Sequence, residues 1–177
     1  MRELERFKAK CKEGYTAKEV IDEMHKNKVI PRRDDGEITI GVLGYVYNIY
    51  DPFISMDIIN KLRQINVNVR TFEMLDDFKI EKELKELDKT LFWTFSDKIL
   101  GAGYDFYKDE EIDGILHVTA FGCGPDSMLG KVLDIDSSEF KKPFMTIRID
   151  EHSGENHLQT RIEAFVDMIR RKKHINN

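Results

Sequence analysis

ITIGVLG, residues 38–44, is the stretch on which the fold turns. It is apolar along nearly its whole length, rich in β-branched residues and closed by Gly44. A strand with one wet face alternates apolar and polar residues. A near-continuous apolar run of this length predicts instead a strand covered on both faces, as parallel sheets require.

Reading forward, Ser55 stands at the expected N-cap of a helix whose Ile58, Leu62 and Ile65 fall at i, i+4 and i+7, and VNVRTFE at 67–73 supplies a second strand. The unit is βαβ. A polar helix is expected over 78–87, and a longer one over 91–107 with Phe92, Phe95, Ile99 and Phe106 on one face. GILHVT at 114–119 reads as a third strand, followed by a helix that Pro125 opens and that carries Met128, Leu129, Val132 and Leu133. PFMTIRI at 143–149 is the fourth strand, and Leu158, Ile162, Phe165 and Ile169 mark the final helix. Strands and helices alternating over short connections imply right-handed crossovers between parallel strands. The predicted class is α/β: a three-layer sandwich with a mainly parallel sheet of about four strands, Rossmann- or flavodoxin-like, preceded by N-terminal helices.

Reading backward, residues 2–13 form a charged helical pattern that Gly14 stops, and Thr16 with Glu19 forms a capping box opening a second helix with Val20, Ile21 and Met24 on its apolar face. VIPRRDDGE at 29–37 reads as a linker. The expected organisation is a helical lead-in over 1–37 and an α/β domain over 38–177.

At 177 residues, 41% hydrophobic and 34% charged, the chain has the size and composition of one globular domain with its own core. A net charge of −5 argues against nucleic acid as a partner. The one basic run, Arg170-Arg171-Lys172-Lys173, closes the last helix, where cations complement the dipole. No stretch is apolar enough to span a bilayer and the start lacks a signal-peptide core, so a cytoplasmic protein without membrane contact is expected. Two cysteines in unlike contexts, Cys11 and Cys123, fit a reducing compartment.

In open parallel sheets, ligands bind beyond the carboxyl ends of the strands. The chain concentrates its chemistry there. Tyr45, Tyr47, Asn48, Tyr50 and Asp51 follow the first strand, Gly122, Cys123, Gly124, Asp126 and Ser127 the third, and Asp150, Glu151 and His152 the fourth. Two glycines around Cys123 permit unusual backbone angles and close approach, and a helix start favours a thiolate, suited to holding a metal or attacking an electrophile. The alternative is a small residue packed in a tight turn. Asp150, Glu151 and His152 suit general acid–base work, a ligand set or a helix cap. The tyrosines either line a cleft or pack on a neighbouring helix, and His117, inside an apolar strand, reads as a hydrogen-bonded core histidine. A phosphate loop, a GxSxG elbow, an HExxH pair and a CxxC pair are all missing.

Three segments, GVLGYVYNIYDPFISMD, TAFGCGPDSMLG and IDEHSGENHLQTRIEAFVDMI, together resemble the C-terminal region of CoA-substrate-specific enzyme activase-related proteins, of the 2-hydroxyacyl-CoA dehydratase and double-cubane cluster protein superfamily, over about residues 38–170. The resemblance implies tandem α/β domains whose cysteines hold an iron–sulfur cluster, reduced by an ATPase of actin-like fold. Cys123 would then be a cluster ligand. Such a cluster wants about four thiolates, so a cysteine-bearing partner domain, a partner subunit or a second copy in a homodimer would have to complete it. The readings that follow are a redox module contributing Cys123 to a cluster in ATP-coupled low-potential reduction; a cluster-free binding module for an anionic, CoA-like ligand or a partner subunit; and a hydrolase using Cys123 and His152.

Overall fold

The computed structural model describes residues 1–26, 34–87 and 90–176. Its sheet has four strands, β1 (Ile38–Gly44), β2 (Val67–Thr71), β3 (Gly114–Ala120) and β4 (Phe144–Ile149), all parallel and ordered β2-β1-β3-β4. The α/β three-layer expectation holds.

Alternation along β1 shows why. Ile38, Ile40 and Val42 are buried on one face, packed against α4 (Ile58–Gln64) and α8 (Glu155–Asn176) through Ile58, Leu62, Ile162 and Phe165. Leu43 faces the other way, into a core shared with α5 (Asp77–Lys85), α6 (Thr94–Lys108) and α7 (Gly124–Phe140). Gly41 leaves that second face bare, and the Phe106 ring of α6 lies where a Cβ would be. Burial of an Ile or Leu side chain contributes roughly 1.5–3 kcal/mol, so a strand buried on both faces is strongly fixed in register. β1 is tied to β2 by pairing Ile40 with Val69, and to β3 by pairing Leu43 with His117 and Gly44 with Val118.

Several local expectations are corrected. The segment after β1 is not a plain loop: Val46–Tyr50 forms a short helix, α3. Ser55 does not cap the next helix, which starts at Ile58 behind Asp57, and Met56 and Asp57 both adopt left-handed backbone (φ 49° and 57°) to make the bend. Phe92 precedes α6 and is almost wholly exposed, because the helix begins two residues later at Thr94. Met128 points outward from α7 while Leu129 and Leu133 face the core. Of the linker at 29–37, residues 29–33 lie outside the described residues.

The N-terminal helices α1 (Arg2–Lys12) and α2 (Ala17–Lys26) are locked onto the α/β layers by polar contacts. The capping box forms: the Thr16 amide donates to Glu19 Oε2 at 2.9 Å and the Glu19 amide to Thr16 Oγ1 at 3.4 Å. Glu19 also receives both guanidinium arms of Arg63 in α4, at 3.0 Å for Nη2, with both side chains largely buried. Burial opposes the charge on Glu19, but the Arg63 and Thr16 hydrogen bonds outweigh it and hold the carboxyl below its ordinary value. At the opposite end of the sheet, Lys172 donates to the Lys141 carbonyl at 2.7 Å and Lys173 to Asp113 at 3.0 Å, so part of the basic run clamps the sheet's lower rim.

Removing one partner of a buried ion pair strands the other. Arg63→Ala should therefore destabilise the fold by about 3 kcal/mol, read as a lowered urea midpoint; an unchanged midpoint would show that apolar contact alone holds α2 in place.

Candidate functional site

The chain leaves β1 toward β2 and leaves β3 toward β4, so the two connections part company above neighbouring strands and open a crevice at their carboxyl ends. Two of the three sequence clusters, those after β1 and β3, emerge there. From α3, the Tyr47 phenol lies close enough to Cys123 to feel its charge, so the first and third strand exits are neighbours. Burial above all, then the proximity of Cys123, Asp126 and Tyr45, pushes the Tyr47 phenol above its ordinary value.

The turn that carries Cys123 is built by its neighbours. Gly122 takes φ 79°, a left-handed angle that glycine adopts without strain. Cys123 is the N-cap of α7, half-buried, and its carbonyl accepts the Ser127 amide at 2.9 Å. A Cβ at Gly124 would meet open space, and Gly122 and Gly124 on either side of Cys123 are both exposed. Ser127 is half-buried on the first turn. Phe121, 71% exposed, and Met128 stand on either side in sequence.

Asp126 does not face this rim. It is fully buried and turned beneath the turn, where Oδ1 lies 2.8 Å from Nε2 of the equally buried His117 in β3. The histidine ring stacks near Phe144, and a Cβ on Gly130 would lie 2.5 Å from its Nδ1, so α7 can pass only because Gly130 is bare. His117 is thus the hydrogen-bonded core histidine that its strand position implied, and Asp126 is its anchor in α7.

The tyrosines divide. Tyr45 packs on α6, its hydroxyl 2.8 Å from Ser96 Oγ and its ring 5.0 Å from Phe95. Tyr50 turns inward and donates to Glu73 at 2.9 Å. Only Tyr47 remains on the rim. Asn48 is fully buried and neither amide atom has a protein partner. Asp51 accepts the Phe53 and Ile54 amides at 2.9 and 3.0 Å, a turn-forming role.

After β4, Asp150 closes a turn by accepting the His152 amide at 3.0 Å and the Ser153 hydroxyl at 2.8 Å. The Ser153 hydroxyl, foremost, draws the Asp150 carboxyl below its ordinary value. His152 projects into solvent, its Nδ1 3.6 Å from the exposed Glu151. These bonds form a turn ahead of α8 rather than a cap on its first-turn amides, and the exposed imidazole has only the exposed Glu151 beside it.

Sequence reasoning did not single out Glu73, Ser96 or the surroundings of Cys11. Cys11 is fully buried in α1, its thiol pushed up to about 12 by burial, with Glu73 adding to the effect. Burial likewise raises the Glu73 carboxyl. Nothing in local spacing marks these three segments as neighbours.

An iron–sulfur cluster does not fit the donors this chain supplies alone. Its two cysteines lie apart in role and setting, one at the rim and one sealed under α1, and among the described residues no group of three His, Cys, Asp or Glu side chains could hold a metal ion.

Residues 1–75 match the family model of the CoA enzyme activase uncharacterised domain, which supports a relationship to CoA enzyme activase-related proteins. The matched stretch takes in α1, α2, β1, α3, α4 and β2, and overlaps the resemblance read over 38–170 only in part. No curated protein matches the chain.

Two outcomes follow. In the native protein one thiol, Cys123, should react rapidly with a disulfide reagent and Cys11 only after unfolding; Cys123→Ser should abolish the fast phase, and two fast thiols would contradict the buried setting of Cys11. Folded Glu73 keeps its proton to higher pH than the unfolded chain does, so its contribution to stability is greatest at low pH and declines as pH rises from the usual carboxylate range toward the raised folded value. Glu73→Gln, which keeps an acceptor for Tyr50, should flatten that decline in urea titrations between about pH 4 and pH 8, whereas a wild-type slope would remove Glu73 from the account.

Proposed function

We propose that the chain is a cluster-free docking module of a CoA enzyme activation system, which presents the rim around Cys123 to a partner protein. The observation that carries this reading is that Tyr47, after β1, and Phe121 and Met128, which flank the half-buried Cys123 in sequence after β3, are all exposed at the carboxyl ends of neighbouring strands. Exposed aromatic and methionine side chains gathered from separate segments are the material of interface cores. The match of residues 1–75 to a CoA enzyme activase domain supplies the setting.

A protein partner is favoured over a CoA-like anion. The adjoining cleft is walled by Asp57, Asp150, Glu151 and Glu155, which would repel an anion on this rim. The partner class this suggests is the actin-like ATPase activator or the cysteine-bearing subunit it serves. The location is expected to be cytoplasmic; no helix among the described residues is long and apolar enough to cross a membrane.

A second reading keeps Cys123 as one ligand of an iron–sulfur cluster whose other thiolates come from the partner. It is favoured by the setting of Cys123, half-buried between two exposed glycines, whereas Cys11 is sealed.

Calorimetric titration with the purified actin-like activator, with and without nucleotide, tests the first reading. Phe121→Asp should weaken binding about 30-fold, the scale of losing one aromatic hot spot, while circular dichroism stays unchanged. Absence of binding in every nucleotide state, or a Phe121→Asp variant that binds like wild type, would overturn it. If anaerobic reconstitution of the complex yields a cluster that Cys123→Ser abolishes, the second reading replaces the first.

A further inference from the structure

A second recess lies on the α4/α8 side of the rim, apart from Cys123. It is a cleft of about 580 Å³ between the turn at 52–57 and the turn at 150–155. That volume holds one or two large side chains or a short peptide segment. Its floor is apolar: Pro52, Ile54, Met56 and Ile149. Phe53 lines it as well and is 93% exposed, so no described residue covers it.

The walls are of one sign. Asp57, Asp150, Glu151 and Glu155 line the cleft, and no lysine or arginine is among its lining residues. Lys61 reaches the margin only to pair with Glu155 at 2.5 Å, and the exposed His152 sits 3.6 Å from Glu151. Asp57 and Glu155 also favour the starts of α4 and α8, as carboxylates at helix N-termini do. Glu151 serves neither helix start and stays exposed at the mouth.

The recess is held open by its own bonds. Asp51 fixes the first turn through the Phe53 and Ile54 amides, two consecutive left-handed residues bend the chain at Met56 and Asp57, and Asp150 with Ser153 fixes the second turn. A rigid cleft loses little entropy when filled.

The geometry points to a docking cleft for a partner segment that places one large apolar side chain on the floor and flanks it with lysine or arginine against the acidic walls. This rests on the docking role proposed above and specifies the chemistry of what docks. The charge pattern decides among occupants: an acidic or neutral apolar segment would desolvate walls on which only Glu155 has a lysine partner, whereas a basic one pairs with the remaining carboxylates. A small organic cation would satisfy the walls yet leave Phe53 in water, so a chain long enough to cover the lip fits better. Wall charges act mainly on encounter and salt dependence, and the apolar anchor on residence time.

Fluorescence polarisation on the full chain tests this with two labelled eight-residue probes, Gly-Lys-Arg-Leu-Phe-Lys-Arg-Gly and its counterpart with Glu and Asp at the four basic positions. The basic probe should bind, weaken severalfold between low and physiological salt, and lose about tenfold in affinity with Phe53→Ser and with Glu151→Lys, both exposed enough to leave folding intact. The acidic probe should not bind. Equal binding of both probes, no binding of either, or indifference to both substitutions would overturn the inference. So would concentration-dependent self-association in sedimentation that Phe53→Ser abolishes, since the occupant would then be a second copy. The assay needs no activator, so its failure condemns the cleft alone, and the docking role stands or falls on the activator titration.

Discussion

Leu43 beside His117 and Gly44 beside Val118, at the top of two parallel strands, is the pairing from which the rest of the molecule takes its shape. Because β1 feeds β2 on one side and β3 feeds β4 on the other, the chain must diverge above this pair, and a crevice there is unavoidable. Tyr47 and Cys123 are 76 positions apart in the chain, by subtraction of their numbers, and come near each other only because β1 and β3 are parallel neighbours whose exits lie at the same end of the sheet. Shift the register by one residue and Leu43, buried on the α6 side, would exchange faces with Val42.

The crevice is held from beneath by polar contacts in a dry interior. His117 and Asp126 bond to each other at zero exposure, so the start of α7 is tied to the strand under it, and Cys123 inherits its position from that tie. A buried polar pair left half-made costs about 1–3 kcal/mol, which gives the turn one favoured arrangement. The N-terminal helices obey the same rule. Arg63 with Glu19 fixes α2, and the inward-facing Tyr50 and Glu73 sit beside the sealed Cys11 of α1. The rim's outer side is different in kind, with aromatics in water and carboxylates around an apolar floor.

The two sides of the rim differ in chemistry. The Cys123 side offers aromatic and sulfur-bearing surface with its nearest carboxylate buried, and the cleft side offers hydrocarbon framed by exposed acids. A partner spanning both would meet apolar surface throughout and negative charge at one end only, which fixes its orientation as well as its place.

By itself the sequence determined the elements and their class. ITIGVLG had to be a doubly buried strand, the capping box at Thr16 and Glu19 had to start a helix, and Pro125 had to open α7, because each rests on covalent geometry or on a periodicity spanning a few residues. It also placed Tyr47 and Cys123 on a common rim, since that needs only parallel strands. The tertiary structure alone decided which of three tyrosines faces water, that Asp126 serves His117, that Asp150 closes a turn, and that Cys11 lies sealed beside Glu73. Those outcomes depend on partners brought in from distant segments, and a side chain's direction on a short helix or turn is set by what it meets there, which no local pattern encodes.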